Sequence, residues 1–180
     1  MISRSDMINI NINVLSKKVG YFNNTKINRR THVGSIIVNR LNLSDKAKMH
    51  LQVLFAQYIA DIYVKRLKLA IKQQKYDANW PSLNAKYLRY KEARGLDLGK
   101  WIASGKLMRS IKFYKHNGDY IIGIHPANKS GNMSTLHIAR ILEYGNEHIP
   151  ARPLFRPIYI SITKNVGFYF RKFIRKITGK

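Results

Sequence analysis

The sequence predicts an α+β domain in which a small, mainly antiparallel sheet packs against one long helix, joined by further short helices and a C-terminal amphipathic helix. Three observations carry this. Apolar residues from Ala47 to Leu69 recur at three-to-four spacing over a stretch too long for any strand. Two alternating runs flank Asn117-Gly118, the strongest short-range hairpin signal, because a type I′ turn needs positive φ at both central residues. Strands and helices mix without a regular βαβ rhythm, which argues against a parallel sheet.

Taken in order, Ile8, Ile10, Ile12 and Val14 alternate with Asn9, Asn11 and Asn13, the period of a strand with one apolar face. Residues 16–32 are polar and basic, as in a loop or arm, and 33–38 reads as a short strand. Ser44-Asp45 is a helix start, with a capping hydroxyl followed by a first-turn carboxylate. The stripe of Ala47, Leu51, Leu54, Phe55, Tyr58, Ile59, Ile62 and Leu69 then predicts a helix of roughly 30 residues, about 45 Å long. Trp80-Pro81 ends this region, since the residue before proline is pushed out of helical geometry. A shorter helix is expected over 82–94, anchored by Leu83, Tyr87, Leu88 and Tyr90 and stopped at Gly95. After a turn over 96–99 comes the hairpin, with Ile111 and Phe113 on one side and Tyr120, Ile122 and Ile124 on the other. Residues 128–134 form a loop, Thr135 caps a helix carrying Leu136, Ala139, Ile141 and Leu142, and Gly145 closes it. Ile158, Ile162, Val166, Tyr169, Phe173 and Ile177 predict a single C-terminal amphipathic helix across Gly167. The organisation is therefore an N-terminal strand and basic arm (1–43), a core (44–157) and a basic amphipathic helix (158–180).

Composition bounds the function. With 180 residues, 45% of them hydrophobic, the chain buries one core, so a single domain with extensions is expected. Its lack of cysteine removes disulfides, thiolate catalysis and cysteine-rich zinc sites together. No apolar run approaches the ~20 residues that span a bilayer, and the N-terminus lacks the pattern of a signal peptide, so a chain assembled in the cytoplasm, with no membrane partner, is expected. Thirty-three Lys/Arg against nine Asp/Glu give a net charge of +24, which calls for a polyanion or an acidic protein face nearby. Residues 149–180 hold eight Lys/Arg and no acid.

Enzyme signatures are poor. His32, His50, His116, His125, His137 and His148 are scattered without metal-ligand spacing, and they read as surface or packing residues. Lys106 and Ser110 after the single Gly105 make no phosphate loop. No catalytic residue, metal or cofactor is expected.

The ordered landmarks lie elsewhere. Trp80-Pro81-Ser82-Leu83, Lys91, Ser104-Gly105-Lys106-Leu107-Met108-Arg109-Ser110-Ile111, then Leu142-Glu143-Tyr144-Gly145 and Pro150-Ala151-Arg152-Pro153-Leu154-Phe155-Arg156-Pro157 follow one another. This succession resembles a family of tailed-phage proteins that join head to tail, described as neck, tail-completion or virion-morphogenesis proteins. The resemblance covers about residues 80–157. It implies a structural virion protein that forms a homo-oligomeric ring of six or twelve copies, contacts portal or connector and tail-tube or tail-terminator proteins, and lines the path of passing double-stranded DNA. Interface residues expected on that basis are Trp80, Leu83, Gly105, Leu107, Ser110, Arg140, Glu143, Tyr144, Gly145, Pro150, Arg152, Pro153, Phe155 and Arg156.

The residues themselves allow plainer roles. Trp80 is most simply a core or interface anchor. Gly105 supplies a backbone conformation that other residues resist, and Ser110 caps or satisfies a loop amide. Glu143 lies at the wrong end of its helix dipole and needs a cationic or hydrogen-bonding partner, for which Arg140, Arg152 and a neighbouring subunit are the candidates. Pro150, Pro153 and Pro157 stiffen a loop that either presents Arg152 and Phe155 for docking or simply connects. The competing functional class is a nucleic-acid-binding protein, with Lys65, Lys68, Lys72, Arg171, Lys172, Arg175 and Lys176 neutralising phosphates or meeting an acidic partner.

Overall fold

A computed structural model describes residues 10–11, 44–116, 119–124, 129–130 and 133–179. The architecture is α+β, as the sequence predicts. In chain order it comprises β1 (Ile10–Asn11), α1 (Asp45–Lys72), a single 3-10 turn (Asp77–Asn79), α2 (Ala85–Ala93), α3 (Lys106–Ser110), β2 (Ile111–His116), β3 (Asp119–Ile124), β4 (Lys129–Ser130), β5 (Met133–Ser134), α4 (Thr135–Tyr144), α5 (Phe155–Lys164) and α6 (Val166–Thr178). The remainder of the first strand, the basic arm, the strand over 33–38, the Asn117-Gly118 turn, parts of the loop over 128–134, His32 and His125 lie outside the described residues.

Helix α1 starts where expected, with the Ser44 hydroxyl accepting from the Ala47 amide at 3.3 Å. Its buried stripe is Leu51, Phe55, Ile59, Tyr63, Leu67 and Ile71, an unbroken four-residue recurrence flanked by the buried Ala60, Val64 and Ala70. Leu54 and Leu69, assigned to the stripe on periodicity, are instead exposed. They stand on the flank that carries the exposed Lys65 and Lys72.

The sheet has the order β1-β3-β2 and is antiparallel throughout. Ile111 opposite Ile124 and Phe113 opposite Ile122 put one face of the hairpin against α1, with Ile111, Ile122 and Ile124 buried. Strands β4 and β5 form a separate two-stranded ladder within the stretch predicted as loop.

The C-terminal region breaks into two helices at Asn165 rather than forming one. The Asn165 side chain donates to the Ser161 carbonyl at 2.8 Å, and its backbone leaves helical geometry there. Both helices still bury their apolar faces on α1. Phe170 meets Phe55 edge-on at 5.0 Å between ring centroids, and Phe173 lies 5.4 Å from both Phe55 and Tyr58. Each of these rings is worth about 2 kcal/mol of burial before any edge-to-face term. Ile177 at the tail of the predicted stripe is exposed.

Candidate docking site

Three of the landmark segments, those of Trp80, Glu143 and the proline-rich stretch, are tied into one knot that Tyr63 of α1 also joins. Two tryptophans hold the proline-rich segment from one side: Trp80 Nε1 donates to the Pro153 carbonyl at 3.0 Å, and Trp101 Nε1 donates to the Arg152 carbonyl at 2.7 Å. Arg152 answers in the other direction, its Nε and Nη2 each donating at 2.9 Å, to the carbonyls of Pro81 and Ser82. Its side chain is therefore not presented by the loop. Arg152 is 3% exposed and Phe155 is 1% exposed. Burial holds the guanidinium below its ordinary pKa, yet it stays charged at any physiological pH.

Glu143 finds neither of the cations considered for it. It is buried, and its carboxylate accepts from the backbone amides of Leu154 at 2.7 Å, Phe155 at 3.0 Å and Arg156 at 3.1 Å. These are the free donors that open α5, and the next residue, Pro157, has none to offer. One side chain thus closes the whole N-terminus of a helix, with its charge at the favourable end of that helix's dipole. The physical reason for the correction is that three converging amides solvate a carboxylate without the second desolvation a buried cation would require.

Around this centre, other groups complete the ties. The Tyr63 hydroxyl donates to the Phe155 carbonyl at 2.6 Å. Burial, and next the charge of Glu143, hold the Tyr63 phenol far above its ordinary pKa of 10. Unfolded tyrosine ionises near pH 10 while the folded residue keeps its proton, so this contribution to stability is complete below pH 10 and lost above it, at up to about 1.4 kcal/mol per pH unit. Lys91, held below its usual value by burial, acts with the opposite sign, its folded state favoured as pH rises toward 10.5. The tyrosine effect is isolated by comparison: urea midpoints measured between about pH 9 and 11 are expected to fall less steeply in Tyr63→Phe than in the parent.

The burial of Lys91, a sequence landmark, and the roles of Lys100, Gln74 and Trp101 are not signalled in the sequence. Lys91 is 1% exposed and its ammonium donates to the carbonyls of Gly99 at 2.7 Å and Ile102 at 2.6 Å, whereas Tyr87 and Tyr90, expected as anchors of that helix, are exposed. Lys100 donates to the carbonyls of Asp77 and Trp80, both at 3.0 Å, and pairs with the Asp77 carboxylate at 2.9 Å. Gln74 clasps Lys100 by both its amide and carbonyl, and Gln74 and Trp101 are the non-glycine residues with positive φ among those described. Their conformations are sparsely populated for L-residues, and the clasp and the Trp101 hydrogen bond hold them.

The remaining landmarks are placed as follows. Leu83 is half-buried. Gly105 has φ +74°, the conformation expected of it. Ser110 does not accept from an amide; its hydroxyl donates to the Leu107 carbonyl at 2.7 Å, because the short helix α3 leaves that acceptor free. Ser134, one residue earlier than predicted, caps α4 by accepting from the Leu136 amide, and Thr135 is the first helical residue. Arg140 is half-buried, and Tyr144, Pro150, Pro153 and Arg156 are exposed, Tyr144 at 66%. His50, His137 and His148 are exposed, and no group of three or more His, Asp or Glu among the described residues is placed to hold a metal.

Between α3, α4, the start of α2 and the loop over 146–152 lies a groove of about 670 Å³. Leu107, Ile138, Ile141, Leu142 and Ile149 give it aliphatic walls, and Trp101 and Arg152 reach it from the knot. The basic residues expected to meet a polyanion form two further surfaces. On α6, Phe168, Arg171, Lys172 and Arg175 share one exposed face, with the Lys172 ammonium 4.8 Å from the centre of the Phe168 ring. Lys176 sits 6.0 Å over Tyr58. On α1, Lys65 and Lys72 are exposed and Lys68 is half-buried, with Lys65 paired to Asp61 one turn earlier at 2.7 Å. No helix among the described residues is long and apolar enough to cross a membrane.

Comparison with protein families, curated proteins and solved structures finds no match to this chain.

Proposed function

We propose that this chain is a structural virion protein of a tailed phage, assembling as a ring at the head-tail junction, where it joins portal or connector to tail and lines the DNA path. The reading starts from the resemblance of residues 80–157 to neck and tail-completion proteins. The observation that carries it further is the knot. Trp80, Glu143, Arg152 and Phe155 are all committed to tying one rigid frame, while Pro150 and Ile149 are left exposed at the groove and Tyr144 is exposed elsewhere. Such a division suits a subunit that docks by preorganised surface, since ordering costs at the interface are already met in the free chain. A ring follows from a heterologous contact closed by rotation.

The second reading, a nucleic-acid-binding protein, is favoured by the exposed face of Phe168, Arg171, Lys172 and Arg175. One pair of measurements separates them. Native mass spectrometry and negative-stain images of the chain with its portal are expected to show rings of six or twelve copies, and duplex binding is expected to be weak above about 0.2 M salt. A chain that stays monomeric with portal and tail proteins present, yet binds duplex with a steep salt slope, belongs to the second class.

A further inference from the structure

The groove beside the knot carries a one-sided chemistry. None of the described residues lining it is Asp or Glu. Cations stand there instead. Lys106 is exposed, and its ammonium has no acceptor or ion-pair partner among the described residues. Arg109, outside the lining, rests its guanidinium against Gly105, where an added Cβ would lie 2.8 Å from Nη1, and donates to the Ser104 carbonyl at 3.2 Å. Arg152 commits Nε and Nη2 to Pro81 and Ser82, while its Nη1 has no acceptor among the described residues. Arg152 nevertheless counts among the groove's lining residues, so its charge stands behind the apolar wall, held there by two hydrogen bonds.

We propose that the groove receives an acidic, aliphatic segment of a partner protein, whose apolar side chains pack on Ile138, Ile141 and Ile149 while a carboxylate meets the exposed Lys106, with the buried charge of Arg152 behind the wall adding to the attraction. A second copy of the chain fits poorly, because a sequence with 33 Lys/Arg and 9 Asp/Glu brings like charge to a basic rim. Ring contacts between copies are thereby left to other surfaces. The proposal names the partner chemistry for the docking function above and rests on it.

The test uses the full chain and a labelled peptide of about twelve residues, roughly three helical turns, with leucines on one face and glutamates between them. Anisotropy is read at about 0.3 M salt, where diffuse attraction is screened beyond several ångströms. Saturable binding in the micromolar range is expected, with affinity about tenfold lower in Ile149→Asp and in Lys106→Glu, and none for a peptide of equal charge with serine in place of leucine. Both positions are exposed, and thermal melts check that each variant folds; should Ile149→Asp fail that check, Lys106→Glu decides. Equal binding of the serine peptide, undiminished binding by the folded variants, or a concentration-dependent dimer abolished by Ile149→Asp would each overturn the proposal. Rings that form with portal while the peptide fails to bind sink the groove assignment alone. Peptide binding by a chain that forms no ring sinks only the ring.

Discussion

Glu143→Ala is expected to lower unfolding free energy by about 3 to 5 kcal/mol, because two buried amides and one partly buried amide lose their acceptor together and each unsatisfied buried donor costs about 1 to 3 kcal/mol. The three bonds, to Leu154, Phe155 and Arg156, are not additive, so the estimate stays below their sum. Glu143→Gln keeps an accepting oxygen without the charge and is expected to recover about half. Urea unfolding followed by circular dichroism measures both, and the larger loss corresponds to roughly 10 to 15 °C in Tm for a chain of this length. Were the carboxylate instead paired with a neighbouring subunit, the isolated chain would unfold at nearly the same urea concentration in all three forms.

Gly145→Ala is expected to cost about 3 to 4 kcal/mol, for a reason independent of side-chain contacts. The residue sits at φ +76° and ψ 175°, a region that only glycine occupies freely. An added Cβ would also stand 2.8 Å from the Ala151 nitrogen and 3.0 Å from the Ile149 carbonyl, both of them backbone atoms that cannot swing away. The same turn lets the Arg152 amide reach the Leu142 carbonyl at 2.6 Å, so straining it also loosens Glu143 from α5. For that reason the double variant with Glu143→Ala is expected to lose less than the two single losses combined, a coupling a double-mutant cycle reads directly.

What the sequence made legible were features set by local chemistry. The Ser44 cap, the hairpin about Asn117-Gly118 and the Gly145 stop each follow from one or two residues whose backbone preferences are strong. The break at Asn165 escaped because the apolar period runs on from Ile158 through Phe173, and a one-residue interruption leaves it almost unchanged. The site was harder still. Arg152, Lys91 and Lys100 are residue types found mostly at surfaces, and their partners are backbone carbonyls, which have no identity in a sequence. Glu143 drew attention as a misplaced charge, but the amides that satisfy it belong to a helix beginning twelve residues later. Trp101 had no neighbouring pattern to mark it, although a second tryptophan in a short turn-rich stretch is itself a hint of an anchor.

The two indole donors also set an order of events during synthesis. Trp80 reaches a carbonyl 73 positions downstream and Trp101 one 51 positions downstream, so neither bond exists until the ribosome has released residues beyond Pro153. Until then the long helix exposes the side on which the last two helices will lie, and separations of this size slow closure. A nascent chain stalled before residue 151 therefore offers a greasy, highly cationic surface to every nucleic acid in the cell, and it is in that interval that chaperones have most to protect.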